Sequence, residues 1–454
     1  MNVAFVGGTN EVHVRIGIFP GWPTLLAIPL RVASGGTLFL PRTPGRFKAT
    51  VKGANLSFEE VQEVRIKPTA GAEELVTFGL CELRDEMPTE YPMPDAPLVD
   101  DLHQWRSRDW PGKAGSLDQV RDSLQAELTA PEPEQPENWS AYGGWRDKNF
   151  AATGFFRTEH DGQRWWLVDP EGCAFWSIGV DCVRANNTTN VTGIESVFSP
   201  ALPAPEDNPE LWQLSETERM FDAGQHNLQR VFGDSWREQW LELTRRRLRG
   251  YRFNTIANWS DRELQQRAGI PYVFTMGGFP TTETKLFRDF PDVFSPEYER
   301  NSRAFAEQLA EIQDDRFVIG YFMTNEPQWA FVDGLDLGQQ VLRAAQPSAT
   351  REVLLADLRA KYGDLPALNA AWNAAFTSWD DLRQPVPTEV LARGTADTQT
   401  FTRKAVERFV VLPAKACREA DPNHLNLGLR WAWIHSDYQL AGHEWLDAFS
   451  INCY

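Results

Sequence analysis

The sequence predicts an α/β fold, a (β/α)8 TIM barrel apparently truncated after strand six, with an N-terminal β-sandwich domain. Three observations carry this. From Asn149 onward, continuous apolar strands alternate with helices, the pattern of a parallel sheet covered on both faces. No strand is followed by GxGxxG, and GxxxxGK[ST] is absent, so a nucleotide-binding doubly wound sheet is not indicated. The first hundred residues hold short alternating segments separated by Gly, Pro and Asn turns roughly 8–12 residues apart, as in a sandwich.

Taken in order, residues 1–100 form the sandwich, with strands at Glu11–Ile18, Leu25–Val32, Thr37–Leu40, Arg46–Val51, Val61–Ile66 and Glu74–Leu80. Residues 101–148 connect. Ser116 caps an amphipathic helix carrying Leu117, Val120, Leu124 and Leu128, and Ala130–Asn138 (APEPEQPEN) buries nothing and reads as a linker. Residues 149–454 are the barrel domain. A hairpin turns at Pro170–Gly172 and runs into strand one, Ala174–Val180. After a long polar loop come a helix at Ser235–Tyr251, strand two at Phe253–Ala257, the helix DRELQQRAG and strand three at Pro271–Thr275. Ser295–Ile312 is a helix and Phe317–Met323 is strand four. A helical insertion (Ala349–Asp381), a helix (Thr402–Ala420), strand five (His424–Leu429), a short helix (GHEWLDA) and strand six (Phe449–Asn452) complete the series. A closed barrel needs eight strands. Tyr454 falls on the expected active-site edge with no helix after it, so the expectation is a C-terminally incomplete fragment.

Composition narrows the function. Of 454 residues 42% are hydrophobic and 24% charged, which excludes disordered, collagenous and coiled-coil classes. The net charge of −18 makes nucleic acid and anionic membrane poor partners. No apolar run reaches the roughly 18 residues of a membrane span. The start, MNVAFVGGTNEVHVRIG, shows no signal-peptide pattern. That makes the cytoplasm the default, with secretion the alternative if the N-terminus is incomplete. Five scattered cysteines without CxxC predict neither a disulfide framework nor structural zinc. Eighteen tryptophans are well above ordinary usage. They fill cores, and they also stack on the apolar faces of sugar rings.

Function in such a barrel sits at the C-terminal ends of the strands. Strand four ends GYFMTNEPQW, which puts Asn325 and Glu326 at that edge. A carboxylate just past an apolar strand, followed by Pro327 and flanked by Trp329, is placed to be partly desolvated. Desolvation favours the protonated form that a general acid needs. The same Glu also fits a helix N-terminus, where the dipole stabilises it. The candidates for substrate binding are Asn325 and Trp329 here and, at the other strand ends, Asp181, Asn258, Trp259, Arg430, Trp431, Trp433 and Tyr454. Asp181 serves equally for a loop hydrogen bond, and Trp259 equally for core packing. His435 reads as a solvated loop residue, and Trp165 and Trp166 as packing. HEWLD is not HExxH, no GxSxG elbow occurs, and no metal or organic cofactor is implied.

Several segments resemble the family-50 β-agarases, in order along the chain: Pro97–Lys113, Thr153–Asp181, Phe290–Glu299, Gly320–Pro327, Asn423–Trp433 and Asp447–Tyr454. Asn-Glu closing strand four resembles the acid/base signature of clan A glycoside hydrolases. Leu354–Leu382 is instead similar to a segment of family-42 β-galactosidases. The resemblance implies a retaining hydrolase of β-galactosidic linkages in an oligo- or polysaccharide, with Glu326 as acid/base. It implies a Tyr454 that hydrogen-bonds the nucleophile, and a nucleophile Glu ending strand seven, beyond this chain. The fragment is then expected to be inactive alone. Two other readings stay open: a non-catalytic glycan-binding protein, and a clan A β-glycosidase of other specificity.

Overall fold

A computed structural model describes residues 1–19, 22–30, 32, 37–40, 48–53, 56–68, 79 and 82–453. The chain makes two compact units. One comprises Met1–Glu137, Val180–Asn254 and Trp259–Ala268; the other Asn138–Gly179, Thr255–Asn258 and Gly269–Tyr454.

The first unit opens with β1 (Asn2–Gly7) and β2 (Asn10–Ile16), joined at Gly8, whose positive φ of 57° suits a tight turn. With β3 (Ala49–Lys52) and β4 (Glu63–Lys67) they form an antiparallel sheet of order β3-β2-β1-β4. Val3 pairs with Val14 and Phe5 with Val12, so both rows point into one core with Ile16, Val51 and Leu56. The strands expected from sequence omit β1. NVAFVG lacks period-two alternation because nearly all of it is buried. Among the described residues this sheet is the whole of the expected sandwich. Leu25–Leu30 carries no strand, Phe39 makes a single bridge to Thr50, and Glu74–Leu80 lies outside the described residues apart from Gly79. The helix α1 (Leu117–Thr129) starts where predicted, with the Ser116 hydroxyl accepting from the Gln119 N–H at 3.2 Å.

In the second unit β5 (Trp145–Asn149), β6 (Arg157–His160), β7 (Trp165–Val168) and β8 (Cys173–Phe175) form an antiparallel sheet of order β5-β8-β7-β6. Its turn is organised by the buried Asp169, which accepts from the N–H groups of Glu171 and Cys173 and from the Ser140 hydroxyl. The expected strand Ala174–Val180 is corrected here. Its first residues stay in this antiparallel sheet, Trp176 and Ile178 are exposed, and only β9 (Gly179–Val180) joins the parallel sheet. Gly179 sets that joint: a Cβ there would lie 1.9 Å from the Thr255 carbonyl oxygen.

The expected polar loop also contains structure. In the first unit β10 (Thr188–Asn190), β11 (Trp212–Leu214) and β12 (Arg219–Asp222) form a small antiparallel sheet. It runs into α2 (Ala223–Phe232), capped by Asp222, and then α3 (Trp236–Gly250). The rings of His103, Phe221 and His226 meet there, and His103 Nε2 lies 2.9 Å from His226 Nδ1.

The second unit continues with β13 (Thr255–Ile256), while α4 (Arg262–Arg267) belongs to the first. Next come β14 (Tyr272–Thr275), the β15 (Lys285–Phe287) and β16 (Phe290–Pro291) hairpin, α5 (Pro296–Ala306) and β17 (Val318–Phe322). Then follow α6 (Leu337–Arg343), α7 (Ala349–Tyr362), α8 (Leu365–Trp372), α9 (Thr388–Leu391), α10 (Thr395–Ala420) and β18 (Leu425–Asn426). The expected insertion is α7 and α8. Lys361, Tyr362 and Trp372 all bond to the Asp397 carboxylate of α10, which pins the insertion down.

The parallel sheet has the order β18-β17-β14-β13-β9. Each strand lies beside its predecessor, whereas a doubly wound sheet reverses order at a switch point. The expected sixth strand, Phe449–Asn452, reduces to one parallel bridge between Ile451 and Trp431. Two hydrogen bonds hold it: Trp431 N–H to the Ser450 carbonyl (3.0 Å) and Asn452 N–H to the Trp431 carbonyl (2.7 Å). The described residues do not close this sheet into a barrel, and none of their helices is long and apolar enough to cross a membrane. Phe156 and Phe175 pack on Val273, Ile319, Leu425 and Leu427 to form the core over the sheet.

Gly320 lets β17 and β18 approach, because a Cβ there would sit 2.4 Å from the Leu425 carbonyl oxygen. Gly320→Ala should therefore cost about 1–3 kcal/mol and lower the melting temperature. An unchanged melt would show that the strands tolerate separation. In the first unit, burial and the neighbouring His226 and Arg230 push His103 down to about 4, and burial also lowers His226. Native imidazoles that resist protonation stabilise the fold above the unfolded value near 6.5, and this is lost as pH falls towards 4. His226→Gln should thus show a smaller drop in melting temperature between pH 7 and pH 5 than the wild type; parallel profiles would contradict this.

Candidate active site

The site lies where β17 and β18 run past their C-terminal ends. Pairing continues beyond both strands, with Met323 N–H donating to the Gly428 carbonyl at 3.0 Å. Gly428 takes φ 87°, and its N–H donates to Asn426 Oδ1. The backbone then turns sharply at two facing residues. Glu326 has φ 48° and Arg430 φ 49°, and Glu326 N–H donates to the Arg430 carbonyl at 3.1 Å. Left-handed backbone at non-glycine residues is strained, and such strain concentrates at functional sites.

The Glu326 side chain is half-buried. Its Oε1 accepts from Asn452 Nδ2, and Asn452 Oδ1 accepts from Arg430 Nε at 2.7 Å. The Arg430 guanidinium also lies over the Phe322 ring at 5.9 Å. Asn325, next to the carboxylate, has a buried Oδ1 with no hydrogen-bond partner.

The turn is held from the other side by the β15–β16 hairpin. Asp289 accepts from the N–H groups of Gln328 (2.8 Å) and Trp329 (2.7 Å), and Arg288 donates to the Gln328 carbonyl at 3.1 Å. Burial raises the Asp289 carboxyl above its usual range, against the opposing pull of those backbone donors and of Arg288.

The structure brings Glu326 and Arg430 together. Trp329 and Trp431 are corrected from substrate platforms to packing residues. They are 0% and 1% exposed, and their rings meet edge-on at 5.7 Å. Phe290 and Phe409 pack on Trp329, and His443 stacks on Trp431 while accepting from its Nε1 at 2.9 Å. No ring face is left for a sugar. Trp433 is half-buried, edge-on to Phe331, and Asn258 is buried after β13. Asp181 and Trp259 are exposed and belong to the other unit. Tyr454 lies outside the described residues. His435, read as solvated, is half-buried, with Nε2 3.2 Å from the Ala330 carbonyl oxygen.

Two residues of the site escape sequence reasoning. Asn452 closes the expected sixth strand, so its position alone marks it. Asp289 sits in a hairpin turn that carries no pattern. Among the described residues no group of three or more His, Cys, Asp or Glu side chains is placed to hold a metal ion. A carboxylate held by a neutral amide at this edge is suited to giving and taking a proton.

Asp289→Ala leaves two N–H groups without their acceptor and should cost about 1–3 kcal/mol. Asp289→Asn keeps an acceptor oxygen and should cost less. Because the native carboxyl is raised, its contribution to stability is full below the ordinary value of 3.8 and is lost as pH rises through the native value. The wild type's advantage over Asp289→Asn should therefore shrink with rising pH in denaturant titrations; growth would reverse the sign argued here.

No family model matches the chain. Among curated proteins, β-agarase B of Vibrio sp. (strain JT0107) is 25% identical over 412 residues, and β-agarase A of the same strain 24% over 409. Both alignments cover 79% of this chain but only 42% and 40% of those proteins, so the chain spans less than half their length. Among solved structures, the agarase AgWH50C superposes with a TM-score of 0.69 at 24% identity, covering 79% of this chain and 57% of that one. An exo-beta-agarase superposes with a TM-score of 0.70 at 22% identity, covering 90% and 61%. In sequence and in fold, over part of their length, the chain is homologous to the β-agarases of glycoside hydrolase family 50.

Proposed function

We propose that the chain forms part of an agarase-like retaining glycoside hydrolase that cleaves β-galactosidic linkages in a polysaccharide, with Glu326 as general acid/base. The observation that carries this is Glu326 itself, a half-buried carboxylate on a strained turn at the end of β17, its Oε1 held by Asn452. The in-order parallel sheet is then the visible part of a (β/α)8 barrel.

In the first step Glu326 gives its proton to the glycosidic oxygen as the bond to the anomeric carbon breaks. A second carboxylate about 5–5.5 Å away attacks that carbon from the opposite face and forms a glycosyl ester. Glu326, now ionised, takes a proton from water, which attacks the anomeric carbon and breaks its bond to the nucleophile's oxygen, freeing the carboxylate. We assign the nucleophile to no residue of this chain. Asn325, with its unpartnered buried oxygen, is placed to accept a sugar hydroxyl, and Trp433 keeps a partly open ring.

The test uses the protein encoded by the whole reading frame, assayed on agarose, agaro-oligosaccharides and aryl β-galactosides. Glu326→Gln should lower hydrolysis of agaro-oligosaccharides by about 10²–10⁴-fold. An aryl galactoside with a good leaving group needs no protonation. For it, added azide should restore turnover by attacking the glycosyl ester without a base. Full activity in Glu326→Gln sinks the assignment, and agarose binding with no hydrolysis by the unaltered protein favours the glycan-binding alternative.

A further inference from the structure

We propose that Arg430 and Asn452 form a positioning relay that places the Glu326 proton on Oε2. The inference deepens the acid/base reading of Glu326 and rests on that reading for its catalytic meaning. A guanidinium carries only donors, whereas a carboxamide has one accepting end and one donating end. Arg430 Nε at 2.7 Å therefore requires Asn452 to present its oxygen there. The NH2 group is left to face Glu326 Oε1. The orientation of the amide follows from the chemistry of its neighbours.

The backbone closes the ring. Glu326 N–H bonds to the Arg430 carbonyl, and Asn452 N–H bonds to the Trp431 carbonyl. The segments following β17 and β18 and the bridge at Ile451 thus meet on one carboxylate. A protonated Oε1 would set its O–H against the N–H of Asn452, donor against donor. Oε1 is consequently the carbonyl oxygen of the neutral acid, and the proton resides on Oε2. Arg430, expected from sequence to bind substrate, directs its Nε to another side chain. It and Asn452 are positioning residues that act through Glu326.

The experiment reads the amide directly, with the full chain labelled with ¹⁵N at asparagine side chains. The Asn452 resonance is assigned by its disappearance in Asn452→Asp. Its amide protons should change shift when the Glu326 carboxylate takes up its proton, because the two groups are hydrogen-bonded. That response should vanish in Glu326→Gln, fall at least about twofold in Arg430→Met, where the amide is free to turn over, and persist in Arg430→Lys, which keeps a donor. Melting curves confirm that each variant is folded, and Arg430→Gln replaces Arg430→Met if the latter is not. An Asn452 resonance that ignores pH in the wild type, or a response in the Arg430 variant equal to the wild type's, overturns the relay. No turnover is needed, so the relay is decided even if Glu326→Gln leaves hydrolysis intact, a result that would remove the catalytic reading alone.

Discussion

The hydrogen bond from Glu326 N–H to the Arg430 carbonyl joins two left-handed residues, and the arrangement of the site depends on it. Each such backbone costs about 1–3 kcal/mol. One hydrogen bond returns only about 0.5–1.5 kcal/mol, so it cannot sustain two strained residues unaided. The difference is made up around it. Asp289 takes two backbone N–H groups just after Glu326, Gly428 absorbs the turn just before Arg430, and the buried Trp329–Trp431 contact packs residues that follow both. The strain is thus shared among these contacts, and none of them holds the turn alone.

The strands that meet there were legible because their chemistry is plain in one dimension. An apolar run such as FVIGYF between charged residues has little choice but a buried strand. Chain order predicted sheet order, because consecutive elements usually lie side by side. The same rule failed at Ala174–Val180. An apolar run does not show which sheet its residues join, and here the first two residues and the last two join different sheets. Only a contact made in three dimensions, the approach of Gly179 to Thr255, reveals the break.

Tryptophan shows a second limit. An excess of the residue at strand ends is compatible with a sugar platform and with a cap on the core, because both need a large apolar ring at the edge of a sheet. What separates them is whether a face remains open. Trp329 and Trp431 spend their faces on each other and on Phe290, Phe409 and His443. Sequence spacing has no access to that distinction.

Asn452 is different, since the information that marks it was present. Side chains two residues apart on a strand point the same way. The strand-end rule that selects Tyr454 therefore selects Asn452 with equal force. Residue type pulled attention away: a carboxylate or a phenol suggests chemistry by itself, whereas an asparagine acquires a role only from what lies at its two ends. With a guanidinium at one and a carboxylate at the other, its amide has a single satisfied orientation. A neutral side chain can thereby carry the influence of Arg430 to Glu326 without placing a second charge against the carboxylate.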